Sequence, residues 1–556
     1  MSPTVIDSSD NKPLVPLAKR LKTTHNPIHD VFHDGLFHSS TKNAMREAVT
    51  QSKPYQHCKI DQLVNDELLR KVRHDILNNI QFTRKETDIY KVNQTGDLAN
   101  MDKLPPDEKE RLRHLFQLRN GIYSQEFRDL VSEVTGCGPL SGRKMDMSVN
   151  IYDQGCHLLN HDDVIGDRRV SFILYMPNPD EEWKSTDGGA LELYPVVEAG
   201  KSANEPTVSL PPKWNQFAMF TVLPGYSFHS VEEVVAQGKS RLSIQGWFHF
   251  PQPGETGYDP ENVDLLSQGK SSLAQLSEGE HEPFVPCHLE GMPSEQLGQQ
   301  DLDSLSAWMN PIYLDTAKMQ ALSEQFLDSS SLQLQDILQP SVYKSLVSAA
   351  HEMDAKDGYL APSLPAHGSG VYGPWEVQGS PVSQRFLRLS TKATQSMDQH
   401  SQQFAQLQHR FESTAFRHWL TLISQMTLES YRGMVRRFRP GLDYTLASIP
   451  IANEDSGLLD VTFSLVSVDD APSWQTGDVG GYLCYMASDD NDDASVYRST
   501  DQEGALLTLP CCGNELSIVL RDEGVMQFVK YVSAGAIGSR WDMALEFETQ
   551  DTAALD

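Results

Sequence analysis

Four side chains stand out for the chemistry that their types and spacing allow. In Asn160-His161-Asp162-Asp163 an imidazole and a carboxylate lie two residues apart, and on an extended strand side chains at i and i+2 share a face. Asp162 is then expected to point away. Among the histidines only His161 and His288 have an acidic residue two positions on, and His288 with Glu290 falls in a proline-rich stretch. His229 lies far downstream, after the turn Leu223-Pro-Gly225, and offers a second imidazole. Two imidazoles and one carboxylate on one face of an iron ion leave three positions open, enough for a bidentate 2-oxoacid and dioxygen. Arg241 follows His229 at the start of the next expected strand, with Ser243 on its face. A planar guanidinium there suits the distal carboxylate of 2-oxoglutarate, which it can hold through two N–H groups. Tyr175 could add a hydroxyl to that carboxylate, and Tyr152 could reach the other end of the molecule. If the strands of His229 and Arg241 are antiparallel neighbours, all these groups meet at one end of a barrel.

The surrounding sequence must supply that barrel. Short runs rich in β-branched and aromatic residues (145–152, 169–176, 190–195, 216–223, 227–233 and 241–250) are separated by turn residues without intervening helices, which predicts an antiparallel jelly roll. Helical periodicity precedes them over about 60–80, and again over 106–134 with Asn120-Gly121 as the expected interruption. These helices are expected to buttress the sheet. The polar segment from Glu86 to Met101 reads either as a mobile lid or as an ordinary surface loop.

The second half repeats the first. Phe438-Arg-Pro-Gly441 matches Tyr152-Asp-Gln-Gly155, Val461-Thr-Phe463 matches Val170-Ser-Phe172, and Gly480-Gly481 matches Gly188-Gly189. Asn514 matches Asn215, and the interval from Gly225 to Gly524 equals that from Arg241 to Arg540. Helices are expected over 332–353 and 385–434. The ligand positions have changed, His161 falling on Ala447, Asp163 on Ile449 and His229 on Phe528, so this copy cannot hold iron. Its pocket is expected to be apolar and dry. The expected organisation is a disordered tail over 1–27, a catalytic domain over 28–250, a proline-rich linker over 251–300 and a degenerate jelly roll over 301–556. The fold class is mainly β with flanking helices, two double-stranded β-helix domains in tandem.

Composition narrows the partners. The 556 residues include 76 acidic and 46 basic side chains, a formal charge of −30 that repels nucleic-acid backbones and favours a basic protein partner. Seven cysteines, an odd number without a Cys-X-X-Cys pair, suit a reducing compartment rather than a disulfide framework or zinc. With no signal-like or membrane-spanning stretch, the expected location is the cytoplasm and nucleus, Lys19, Arg20 and Lys22 offering an import signal. The acidic tract from Ser488 to Glu503 reads as a solvated insertion or a docking segment.

In order along the chain, His161-X-Asp163, Tyr175, Gly188-Gly189, His229 and Arg241-X-Ser243 resemble the 2-oxoglutarate oxygenases of the prolyl-hydroxylase type. The phrases Glu86-Thr-Asp-Ile-Tyr-Lys91, Gln94-Thr-Gly-Asp-Leu98 and Pro224-Gly-Tyr-Ser-Phe-His229, with the doubled domain, resemble those acting on the decoding-centre protein of the small ribosomal subunit. That group includes the fungal regulators of translation termination and sterol response. The resemblance implies Fe(II), 2-oxoglutarate and O2 as reactants, ascorbate as reductant, and a proline of a basic ribosomal protein hydroxylated at carbon 3, in some members twice. It also implies protein partners for the second domain. The rival reading is a non-catalytic sensor of oxygen or 2-oxoglutarate that binds a partner through that domain.

Overall fold

A computed structural model describes residues 27–261, 282–287, 296–390, 397–448, 457–468, 472–487, 505–522 and 524–551. The tail before Pro27, the import cluster, the acidic tract, Ile449 and the His288–Glu290 pair lie outside the described residues. The N-terminal half is built on β1 (His57–Ile60), β2 (Thr83–Glu86), β3 (Tyr90–Gln94), β4 (Asp146–Tyr152), β5 (His157–His161), β6 (Arg168–Tyr175) and β7 (Leu191–Leu193). It continues through β8 (Val196–Glu198), β9 (Lys201–Ser202), β10 (Val208–Leu210), β11 (Phe217–Thr221), β12 (His229–Val231) and β13 (Arg241–His249). Eleven of these form one curled sheet in the order β1-β11-β6-β13-β4-β3-β5-β12-β7-β10, with β2 on β3. The pairings are antiparallel, and the curl turns one face inward as a double-stranded β-helix.

Helices cover the outer face because alternate strand residues there are large and apolar. Leu69, Val72 and Ile76 of Asp66–Asn79 and Phe127, Leu130 and Val131 of Gln125–Thr135 join Val149, Phe172, Leu174, Phe217 and Phe248 in one core. Each such side chain contributes roughly 1.5–3 kcal/mol when fully buried. The expected helix over 60–80 begins only at Asp66, since Ile60 belongs to β1, and the helix Ser39–Gln51 was not read from the sequence. The 106–134 region is three helices, Pro106–Arg111, Arg113–Ile122 and Gln125–Thr135. Asn120-Gly121 lies inside the second of them. A Cβ on Gly121 would come 2.7 Å from Val31, so that glycine serves close packing rather than a break.

The C-terminal half repeats the design with a nine-stranded sheet whose main path runs 331–335, 515–521, 457–466, 540–551, 426–438, 384–389, 375–378, and with a three-stranded sheet of 505–509, 483–487 and 525–529. Residues 332–335, 385–389 and 426–434 are therefore strand where helix was expected. Within the two stretches expected to be helical, the helices are Pro340–Asp357, Gln399–Phe411 and Thr414–Ser424. A piece of the proline-rich stretch, Val285–Pro286, adds a short strand beside Tyr431.

The same backbone devices recur in both halves. Asn215 and Asn514 both adopt positive φ, 62° and 56°, and each amide brackets one residue of a distant turn by bonding its N–H and its C=O, Val64 in one case and Leu338 in the other. Gly188 and Gly480 also have positive φ, and a Cβ on either would strike the backbone oxygen of Glu233 or Tyr531. One sequence match shifts. Phe172 lies opposite Gly246 and Met219, whereas the residue opposite Leu545 and Ile518 is Val461, not Phe463. A slip of two leaves every side chain on its face, so the apolar pattern alone does not expose it.

Candidate active site

His161 ends β5 and His229 opens β12, paired directly opposite one another with their rings 4.2 Å apart. Each imidazole turns Nδ1 to a backbone carbonyl, His161 to Leu159 at 2.9 Å and His229 to Ser227 at 3.1 Å, which leaves both Nε2 atoms for a ligand. Asp163 closes the triangle, its Oδ1 3.2 Å from His161 Nε2 and its Oδ2 3.4 Å from His229 Nε2. The three donor atoms lie within 4.8 Å of one another, close enough to share one metal ion.

Asp163 does not reach the site along a strand face. The chain leaves β5 at His161, and Asp163 reaches the site through a left-handed backbone with φ 61°. Asp162 is buried rather than pointing to solvent: its Oδ2 accepts from the Gly225 amide at 3.1 Å and its carbonyl accepts from the Ser227 hydroxyl at 3.0 Å. It thereby ties the turn before His229 to the triad. Ser171 Oγ and Trp247 Nε1 both donate to Asp163 Oδ2, at 2.9 and 3.1 Å. Burial would raise this carboxyl, but His229, His161 and Arg168 outweigh it and hold the group well below the usual carboxylate range. Burial and the neighbouring His161 push the His229 imidazole down to about 4. A charged carboxylate beside a neutral imidazole is the protonation state in which both bind metal.

Arg241 faces this cluster from the other side of the curl. Its strand is not adjacent to that of His229, as was expected: β12 lies between β5 and β7, and β13 between β4 and β6. Successive strands of a double-stranded β-helix alternate between the two walls, so the groups meet across the interior instead. Register sets Arg241 opposite Tyr152 and Ser243 opposite Tyr175. The guanidinium sits 4.7 and 4.9 Å from the centres of the two tyrosine rings. Its Nε donates to the Gly189 carbonyl at 2.8 Å and its Nη1 to Ser243 Oγ at 3.4 Å. Nη2 of Arg241, the Tyr175 hydroxyl and both ends of the Asn150 amide are buried with no partner in the protein. Buried polar atoms left unpaired cost about 1–3 kcal/mol each, and the Arg241 and Tyr175 donors suit an oxygen-rich anion, whereas the Asn150 carbonyl oxygen suits a donor.

A cavity of about 250 Å³ opens beside the triad, lined by Asn150, Tyr152, His161, Asp163, Arg168, Gln245 and Trp247. The parity that pairs Arg241 with Ser243 also brings Gln245 and Trp247 to the same face, a signal the sequence held unused. The 86–101 segment forms the end of β2, a buried turn, β3 and the start of a 3-10 helix over Leu98–Lys103, and Ile89, Tyr90, Val92 and Gln94 line the cavity.

In the C-terminal half Ala447 and Phe528 pack with Cys484, Met486 and Met526 where the first half has its imidazoles. The counterparts of Tyr175 and Ser243 are Ser464 and Asp542. Asp542 Oδ2 lies 3.0 and 2.9 Å from Nε and Nη2 of Arg540, and the same carboxylate takes two further bonds from Arg436. The retained arginine is thus satisfied by its own strand. The expectation of an apolar pocket holds only at the lost metal position, for a polar cavity of about 270 Å³ lined by Arg432, Arg436, Asp460, Arg521 and Glu546 lies nearby.

A curled sheet enclosing two imidazoles, a carboxylate and a buried guanidinium is the setting of a non-haem iron dioxygenase that uses a 2-oxoacid. Comparison with known proteins agrees. The family model of the 2OG-Fe(II) oxygenase superfamily matches residues 147–249, and that described as oxoglutarate and iron-dependent oxygenase degradation C-term matches 300–554. The chain is 35% identical over 532 residues to prolyl 3,4-dihydroxylase OGFOD1 of Ostreococcus tauri, covering 93% of this chain and 100% of that protein. It is 31% identical to prolyl 3-hydroxylase OGFOD1 of Xenopus laevis over 54% of this chain and 50% of that one. Among solved structures it is similar to a Pseudomonas putida prolyl-4-hydroxylase, at 18% identity and TM-score 0.26 over 37% of this chain and 98% of that chain. The chain belongs to the OGFOD1 family of 2-oxoglutarate- and Fe(II)-dependent oxygenases. It is a dioxygenase whose reactants include Fe(II), 2-oxoglutarate and O2.

Proposed function

We propose that this enzyme hydroxylates a proline of a basic small-subunit ribosomal protein at ring carbon 3, with His161, Asp163 and His229 as iron ligands and Arg241 as the anchor of 2-oxoglutarate. The observation that carries the reading is the set of unpartnered buried atoms, Arg241 Nη2 and the Tyr175 hydroxyl, on the wall facing a triad in which both imidazole Nε2 atoms turn toward the Asp163 carboxylate. The bound iron supplies oxygen activation coupled to breakdown of the 2-oxoacid. The protein's own part is positional. Ser171 and Trp247 fix the carboxylate of Asp163, the carbonyls of Leu159 and Ser227 fix the imidazoles, and Gly189 fixes Arg241. Tyr175 and Ser243 add hydroxyls to the anion site, and Tyr152 bounds it. The cavity's apolar side, with Val92, Leu158 and Trp247, suits an uncharged ring and excludes water, while Asn150 and Gln245 face it with amides for a peptide backbone.

The relatives named as prolyl 3-hydroxylase and 3,4-dihydroxylase support proline as the residue modified, and the charge of −30 supports a basic protein carrying it. Incubation of the purified small-subunit decoding-centre protein with enzyme, Fe(II), 2-oxoglutarate and ascorbate should add one oxygen to a single proline, or two if the enzyme dihydroxylates. Fragment mass spectra locate the oxygen. No mass gain on any small-subunit ribosomal protein would overturn the substrate assignment.

A further inference from the structure

The cavity beside the triad is not closed by the N-terminal half alone. Val382 and Leu446, both from the C-terminal half, stand in its lining beside Ile89, Tyr90 and Leu158. Leu446 packs in one buried cluster with Tyr444, Tyr531, Ile89 and Leu159, and Val382 in another with Tyr194 and Phe228. Beneath the Glu86–Ile89 turn lies Lys530, almost fully buried at the end of the strand 525–529. Its ammonium lies 3.4 Å from Glu86 Oε1 and donates to the Thr87 carbonyl. The next side chain of the turn, Asp88, accepts the amide of Ala447 at 3.2 Å, the residue standing where the first half has His161. Lys530 is itself seated by backbone bonds with Tyr482 and Gly481. The degenerate site thus holds the turn that walls the intact one.

We propose that the C-terminal half completes the substrate cavity, with Leu446 shaping it for the polypeptide and Lys530 acting as a positioning residue that clamps the Glu86–Ile89 turn. This rests on the reading of the cavity as a proline-peptide site. It explains why a half with Ala447 and Phe528 in place of the imidazoles is packed against the mouth of the site: a buried ammonium bonded to a carbonyl and a carboxylate fixes a turn more strictly than apolar contact does. Removal of the ammonium leaves Glu86 with Arg84 and Lys91, at 3.6 and 4.0 Å, so the clamp can be tested without stranding a carboxylate.

The test uses full-length Lys530→Met, Lys530→Arg and Leu446→Ala, with a synthetic proline peptide of the decoding-centre protein. For Lys530→Met and Leu446→Ala, kcat/KM for the peptide should fall by on the order of a hundredfold, the scale that an ångström of misplacement costs. The KM for 2-oxoglutarate should hold, and Lys530→Arg should recover most of the loss. Unchanged peptide kinetics in both variants, or equal shifts in peptide and 2-oxoglutarate constants together with lost thermal stability, would overturn the proposal. Amide hydrogen exchange over 86–92 reads the clamp without any substrate and should rise in Lys530→Met; protection equal to wild type overturns the clamp even if the wild-type enzyme hydroxylates no peptide, the result that defeats the substrate reading itself.

Discussion

Ser243 and Asp542 occupy the same place in the two halves, and giving one the chemistry of the other tests how the co-substrate is held. Asp542 satisfies Arg540 at 2.9 and 3.0 Å, and Arg241 already reaches Ser243 Oγ at 3.4 Å. In Ser243→Asp the new carboxylate should pair with Arg241 in the same manner. The guanidinium's charge-assisted bond to 2-oxoglutarate, about 1.5–3 kcal/mol, is then diverted to the side chain. A second anion beside the co-substrate's carboxylate costs several kcal/mol more. Together these amount to at least about 4 kcal/mol, or roughly a thousandfold weaker 2-oxoglutarate binding. Ser243→Ala removes only a neutral hydrogen bond and should cost about 1 kcal/mol. Calorimetric titration of 2-oxoglutarate under nitrogen, with Mn(II) in place of iron, measures both variants, and the Mn(II) affinity is measured separately. If Ser243→Asp binds 2-oxoglutarate as well as Ser243→Ala does, or loses metal to the same degree, the reasoning is refuted.

Three further outcomes follow from the geometry. Metal analysis should find one iron per chain, and Asp163→Ala should abolish iron binding while costing about 2–6 kcal/mol of stability for the two donors, Trp247 and Ser171, left unpaired; two irons per chain would contradict the apolar Ala447–Phe528 cluster. Burial, and then the nearby Glu192, push the Glu232 carboxyl up to about 8, so the folded chain keeps a proton that the unfolded chain releases from about pH 4.5 upward. Stability is therefore lost as pH rises through that window, by up to about 5 kcal/mol, and Glu232→Gln should flatten the slope in urea unfolding at successive pH values; a slope equal to wild type would refute it. Asn514→Ala leaves the N–H and C=O of Leu338 unpaired and replaces a residue that tolerates φ 56° with one that does not, which should lower stability by at least about 2 kcal/mol without moving the KM for 2-oxoglutarate. A shift in that KM would mean that the two halves are coupled at the co-substrate.

The grouping of His161, Asp163 and His229 was legible because metal chemistry admits few side chains, and that of Arg241 with Ser243 because period-two alternation places them on one face. What the sequence hid was everything that depends on partners distant in the chain. Asp163 enters by a left-handed backbone, which no periodicity signals. Trp247 lies on the right face but gives no sign that its ring N–H is aimed at a carboxylate. The turn 86–89 reads as polar and exposed, yet Thr87 and Asp88 are buried because Lys530 and Ala447, more than three hundred residues on, supply their bonds. In the second half, strands 384–389 and 426–438 read as helix because they flank the true helices Gln399–Phe411 and Thr414–Ser424 in one stretch, and cross-strand pairing fixes them as strand.

The two halves together separate architecture from chemistry. Asn215, Gly188, Gly189 and Gly225 persist as Asn514, Gly480, Gly481 and Gly524 in a half with neither imidazole, so their task is backbone geometry. His161, His229, Tyr175 and Ser243 have given way to Ala447, Phe528, Ser464 and Asp542, so the architecture does not require them, in keeping with the ligand roles proposed above. Arg241 belongs to both groups. Arg540 keeps its bond to the Gly481 carbonyl just as Arg241 keeps its bond to Gly189, although Arg540 has a resident carboxylate in place of a co-substrate. Substitution of Arg241 therefore removes a buried structural bond along with the anion grip, and Arg241→Lys would lower 2-oxoglutarate affinity and stability at once. The exchange at Ser243, which leaves the Gly189 bond in place, isolates the grip.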